Sequence, residues 1–259
     1  MADHLRNAPL VEALVELKWA LNKDSEVEPL RDLSYPTIIG LLYSEVKKEY
    51  PFIERLPQSL FPVELITTTP THRFRSGENE WPLIQIGPGI ATLNFTTTYN
   101  WESFRNASIS FINALTSSYE SAATIPPSLQ QITLRYINAI PFQFTSQDVL
   151  EFLQNKLHIV VQFPTIMTES LGNSQTEHLN LQVDYHIVKP VGIGALSIGR
   201  GVKQGNSALV WDLAIASFND DVPISSQFAQ WLSDAHKVLE NWFFTLVQGE
   251  LLASFKGEE

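Results

Sequence analysis

Gln131-Ile132-Thr133-Leu134-Arg135-Tyr136-Ile137-Asn138-Ala139-Ile140 lies at the middle of the chain, and its reading decides the fold. The stretch is rich in β-branched and aromatic residues and closes at Pro141, which marks a strand. Successive strand side chains point to opposite faces. Ile132, Leu134, Tyr136, Asn138 and Ile140 therefore share one face, and Thr133, Arg135, Ile137 and Ala139 share the other. Arg135 and Asn138 cannot act on the same side of such a strand. With the apolar face in the core, Asn138 is a buried amide that needs hydrogen-bond partners. Those partners are either structural or belong to a ligand.

Upstream, Val11, Ala13, Val15, Leu17, Trp19 and Leu21 alternate with Glu12, Glu16 and Lys18, the pattern of a half-buried antiparallel strand. Pro36 suits the first turn of a helix whose stripe is Ile38, Ile39, Leu41, Leu42, Val46 and Tyr50, ended by Pro51. Pro57 and Pro62 mark an irregular link. Val63 to Thr69 and His72 to Ser76 read as extended. Trp81 to Ile86 and Ile90 to Thr98 form a hairpin around Gly87-Pro88-Gly89. Asn100 is an N-cap for a helix carrying Trp101, Phe104, Ser108, Phe111, Leu115 and Tyr119 at helical spacing, and Pro126-Pro127 breaks the chain.

Downstream the order repeats. Ser146 caps a helix with Val149, Leu150, Phe152, Leu153 and Leu157 on one face. Extended segments follow at His178 to Val188, Gly192 to Gly199 and Ala208 to Phe218, with a turn at Lys203-Gln204-Gly205-Asn206. A single long helix, roughly 40 Å by its rise per residue, runs from Ser225 through Phe228, Trp231, Leu232, Ala235, Leu239, Trp242, Phe243 and Leu246 to Phe255. The expected fold is α+β: two halves, residues 1–126 and 127–259, each β-α-β-β-β-α. Together they build one continuous antiparallel sheet with helices on one face, as a single compact unit.

Composition narrows the function by exclusion. A chain of 259 residues with 44% hydrophobic residues can bury a large core. The absence of cysteine removes disulfides, thiolate nucleophiles, Cys-based zinc sites and iron–sulfur clusters. A formal net charge of −11 speaks against nucleic acid as a partner. No run approaches the ~20 apolar residues of a membrane span. Met1-Ala2-Asp3-His4-Leu5-Arg6-Asn7 lacks an apolar signal region, so a cytoplasmic protein is expected.

Motifs for chemistry are sparse. Gly192-Ile193-Gly194-Ala195-Leu196-Ser197-Ile198-Gly199-Arg200-Gly201 matches no phosphate-binding pattern, and glycines where a strand bends or approaches another backbone explain it better. The six histidines include no H-E-x-x-H pair. His178, Asp184 and His186 alternate onto one face, the pattern of a solvated strand, so no metal is assigned. His236 sits beside Leu232, Leu239 and Phe243 as a core-edge histidine with a single hydrogen bond, or else as a ligand contact or base. Trp101 and Trp211, beside Glu102 and Asp212, are large core or groove residues. No catalytic set and no cofactor is assigned. The candidate ligand-binding residues are Arg135, Tyr136, Asn138, His236, Trp101 and Trp211.

Four stretches carry a family resemblance: Asn7-Ala8-Pro9-Leu10-Val11-Glu12-Ala13, Tyr99-Asn100-Trp101-Glu102-Ser103-Phe104, Leu134-Arg135-Tyr136-Ile137-Asn138 and Trp231-Leu232-Ser233-Asp234-Ala235-His236. With them the chain resembles, over nearly its whole length, a sporadically distributed and largely uncharacterised bacterial and archaeal family. The resemblance brings no established activity. The patchy distribution implies mobile genes, such as phage-defence or toxin–antitoxin systems.

Two function classes follow. One is a non-catalytic binding protein whose partner is a small molecule, another protein or a second copy of the chain. The other is an enzyme with a site near Arg135, Tyr136, Asn138 and His236. Convergence of these residues in one pocket separates the two.

Overall fold

A computed structural model describes residues 5–21, 32–62, 66, 68–96, 99–122, 128–164, 166, 176, 178–222 and 225–258. Among them runs one antiparallel nine-stranded sheet, whose strands are β1 (Leu10–Trp19), β2 (Phe52–Arg55), β3 (His72–Arg75), β4 (Leu83–Gly87), β5 (Ile90–Phe95), β6 (Leu129–Pro141), β7 (Asn180–Val188), β8 (Val191–Lys203) and β9 (Asn206–Phe218). Its order is β2-β3-β4-β5-β1-β6-β9-β8-β7. The two strands that open the halves, β1 and β6, lie side by side at the centre, so the sheet is continuous across residues 1–126 and 127–259. The helices are α1 (Tyr35–Val46), α2 (Trp101–Ala122), α3 (Val149–Lys156), α4 (Ser225–Leu246) and α5 (Glu250–Lys256). None is long and apolar enough to cross a membrane.

Alternation explains which face the helices cover. Ala13, Val15, Leu17 and Trp19 of β1 align with Tyr136, Leu134 and Ile132 of β6 and with Leu213 and Ile215 of β9. All are buried. α2 packs on β5, α4 packs on β6 and β9, and the two helices pack on each other. The opposite face carries polar side chains in a hydrogen-bonded row. Arg75 donates to Glu54 (2.7 Å), Arg73 to Gln85 (2.9 Å), Gln85 to Asn94 (3.4 Å) and Asn94 to Glu12 (2.7 Å). Burial of this kind is tolerated because each polar group finds a partner.

A buried carboxylate pins the first half together. Asp32 accepts hydrogen bonds from Trp19 Nε1 (2.8 Å), the Tyr119 hydroxyl (2.9 Å) and the Gly89 backbone N–H (3.3 Å) at Oδ2, and from the Ser34 N–H (3.2 Å) at Oδ1. It thereby ties β1, α2, the β4–β5 turn and the start of α1 to one point.

Several expected boundaries move. The first half holds an extra strand: β2 is the outer edge strand and gives that half the order β-α-β-β-β-β-α. Its four residues, Phe52-Ile53-Glu54-Arg55, are mostly exposed and too few to show alternation. α1 stops at Val46, and Tyr50 is buried beyond it. Asp148, not Ser146, caps α3, accepting from the Leu150 and Glu151 N–H groups. The single long C-terminal helix is two. α4 has 22 residues, about 33 Å at 1.5 Å per residue. A break at Val247 to Gly249 then lets α5 turn away, with Gly249 at φ +80. The apolar stripe continues through that break, because Val247 and Phe255 are both buried, so periodicity alone does not reveal it. Other expectations hold: Asn100 Oδ1 accepts from the Ser103 N–H (2.9 Å), and Gln204 (φ +52) and Gly205 (φ +82) form the β8–β9 turn. Pro126-Pro127 and Val63 to Leu65 lie outside the described residues.

The glycines of β8 are packing devices. A Cβ on Gly192 would lie 2.1 Å from the Ala216 carbonyl oxygen, and one on Gly194 would lie 2.6 Å from the Trp242 ring.

Candidate functional site

The helix-covered face does not close completely. Where β6, the start of α2 and the middle of α4 meet, a cavity of about 700 Å³ remains. The N-terminal segment supplies Arg6, Ala8, Pro9 and Leu10. Tyr99, Asn100, Trp101 and Glu102 come from the start of α2, and Tyr136 and Asn138 from β6. His236, Leu239, Glu240, Phe243 and Phe244 come from α4. The N-terminal wall is held from behind. The Asn7 N–H donates to the Phe255 carbonyl (2.9 Å), and the Asn7 side-chain amide donates to the Ser254 carbonyl (3.1 Å), both on α5.

Each side chain arrives for a local reason. Tyr136 and Asn138 are two apart on β6 and so face the same way. Asn100 stops the chain at the first turn of α2, which sets Tyr99 and Trp101 beside the cavity. His236 and Glu240 are one helical turn apart on α4 and lie on one stripe.

A hydrogen-bonded chain crosses the cavity wall. The Tyr99 hydroxyl donates to the Tyr136 hydroxyl at 3.0 Å. Having accepted there, Tyr136 donates to Nδ1 of His236 at 2.8 Å. That leaves the imidazole proton on Nε2, which points toward Glu240 Oε1 at 3.9 Å. Trp101 stacks on the imidazole, with ring centroids 3.6 Å apart and planes 12° from parallel. Tyr99 meets Tyr136 edge-on at 5.7 Å.

Burial sets the protonation states. Desolvation lowers His236 to about 4, so the ring is neutral at pH 7. Desolvation also raises Tyr136 well above the usual phenol range, with the Tyr99 hydroxyl and the Glu240 charge adding to it. Tyr99 is raised for the same first reason. Asn138 is 1% exposed, and among the described residues its amide donates only a long 3.5 Å bond to the carbonyl of Tyr136 in its own strand.

Of the six residues singled out from sequence, Tyr136, Asn138, His236 and Trp101 line this cavity. Arg135 and Trp211 do not. Arg135 lies on the opposite face, where its Nε donates to Asp212 at 2.6 Å. That hydrogen bond holds the guanidinium firmly charged. Strand alternation requires the separation. Trp211 faces the helices but is fully buried in the core. Asp184 and His186 are solvent-exposed on β7, and His178 precedes that strand. Sequence reasoning missed Tyr99 and Glu240 as site residues. The spacing of Glu240 from His236 was the available signal for one. For Tyr99 the signal was its place in the resemblance stretch Tyr99-Asn100-Trp101-Glu102-Ser103-Phe104, since it precedes the first regular turn of its helix and no periodicity marks it.

No protein-family model and no curated protein matches the chain at a significant level.

Proposed function

We propose that the chain is a non-catalytic binding protein that holds a small molecule in the cavity between β6, α2 and α4. The observation that carries this reading is the cavity itself. Its volume of about 700 Å³ falls in the range of small-molecule sites, and its walls combine aromatic rings with a few convergent polar groups. All four stretches that carry the family resemblance contribute to its lining. A role in a defence or toxin–antitoxin type system rests on that resemblance alone.

The titration behaviour favours binding over catalysis. General acid–base groups work best with a pKa near the operating pH. His236 at about 4 and Tyr136 well above 10 lie far to either side of neutrality. At pH 7 the chain Tyr99–Tyr136–His236 keeps its protons in place and fixes the shape of the wall. The same chain is what an enzyme reading would use as a proton relay, with Tyr99 at its open end.

Native mass spectrometry of protein purified gently from its own host tests the proposal. A small molecule should travel with the wild-type chain and be lost from Trp101→Ala. A co-purifying molecule that the protein converts to product, with conversion abolished in His236→Gln, would replace binding by catalysis.

A further inference from the structure

We infer that the cavity takes a small organic cation, an amine or guanidine carried on an apolar body. This rests on the binding reading above and names the ligand class. Two carboxylates line the cavity from different helices, Glu102 at the start of α2 and Glu240 on α4. Among the described residues neither is ion-paired to a lysine or arginine. Among the described residues Arg6 is the one lysine or arginine in the lining; it and Glu102 are exposed, and Glu240 is partly buried.

The apolar part of the wall includes the rings of Tyr99, Trp101, Phe243 and Phe244 beside aliphatic side chains such as Leu10, Leu213 and Leu239. Aromatic faces attract cations through their quadrupole, and the attraction grows as water is excluded. An anion entering here would meet both carboxylates and the negative ring faces. His236, neutral at pH 7, offers it no charge.

The independent observation is Asn138. This buried side chain lines the cavity, and among the described residues it makes only one long hydrogen bond, from its N–H side. Its carbonyl oxygen can accept from a ligand N–H. Burying an amide without full partners is costly, so a donor arriving from the cavity is favoured. At long range the net charge of −11 draws cations toward the surface.

Isothermal titration of the full chain with three probes that share a phenethyl body tests the inference: phenethylamine, 2-phenylethanol and 3-phenylpropanoate. The amine should bind about tenfold more tightly than the alcohol, with the carboxylate weakest. Combining Glu102→Gln with Glu240→Gln should reduce the amine to the level of the alcohol and leave the alcohol unchanged. The double variant should keep the wild-type circular dichroism spectrum. An alcohol or carboxylate that matches the amine overturns the cation class and leaves the binding reading standing. If none of the three binds, a co-purified molecule decides: a basic nitrogen supports the inference, and its absence overturns it. No probe binding and no co-purified molecule overturns both readings.

Discussion

Tyr136 and His236 show how much one buried hydroxyl and one imidazole can hold. Tyr136 both accepts from Tyr99 and donates to His236, and phenylalanine does neither. Tyr136→Phe should therefore cost about 1–3 kcal/mol, the range for leaving a buried polar group unsatisfied, measured by urea denaturation. His236 adds a pH dependence whose sign is fixed. Its folded pKa of about 4 lies below the unfolded value near 6.5. Between those values the unfolded chain binds a proton that the folded chain refuses, so stability falls as pH drops from about 6.5 toward 4. The full shift corresponds to at most about 3 kcal/mol. His236→Gln should flatten most of this slope in denaturation curves between pH 6.5 and 4.5. The remainder belongs in part to His72, which burial also lowers. Alternation was enough to place Tyr136 and Asn138 together and Arg135 apart. The stacking of Trp101 on His236 was not legible, because it joins two helices through a packing that no local pattern encodes.

Elements record constraints in their exceptions. β1 alternates cleanly, yet Val11 is 36% exposed. The pairing explains it: Leu10 aligns with Asn138 and Glu12 with Ile137, so Val11 is the extra residue of a β-bulge. That bulge sits where the N-terminal segment bends to wall the cavity. The β8 glycines make an opposite-signed pair of predictions with a helical one. Gly192→Ala drives a Cβ into the Ala216 carbonyl, a backbone atom that cannot give way, and should destabilise by about 1–3 kcal/mol. Gly40→Ala in α1 meets nothing within 4 Å and should stabilise by about 0.5–1 kcal/mol. Thermal melts of the two variants check both. Element types were readable because most segments show a clear period of 2 or 3.6. β2 escaped because four mostly exposed residues carry no period. The division of α4 from α5 escaped because Val247, Leu251 and Phe255 keep the helical spacing of apolar residues across Gly249.

At the scale of the molecule, the two halves share one sheet rather than two. β1 pairs with β6 along nearly its whole length, and α2 packs on α4 across the same boundary. Cutting there exposes a full-length strand edge and the apolar faces of both helices. Neither 1–126 nor 127–259 should fold when expressed alone. The whole chain should unfold in one cooperative step, with circular dichroism and hydrogen exchange reporting the same transition. One continuous antiparallel sheet with helices on one face was legible in the sequence, but which two strands join its halves was not, and the first half carries a strand more than the expected order. The cavity was not legible either, because it forms only where three elements from different parts of the chain fail to close on each other.

The indole of Trp101 lies face to face with the imidazole of His236. An excited indole transfers an electron readily to an imidazolium and poorly to a neutral imidazole. The pair is therefore a fluorophore beside a quencher that protonation switches on. Emission attributable to Trp101, taken as the difference from Trp101→Phe, should dim as pH falls toward 4 and lose that dependence in His236→Gln. A molecule that enters and parts the two rings should restore the light, which makes the cavity its own optical reporter.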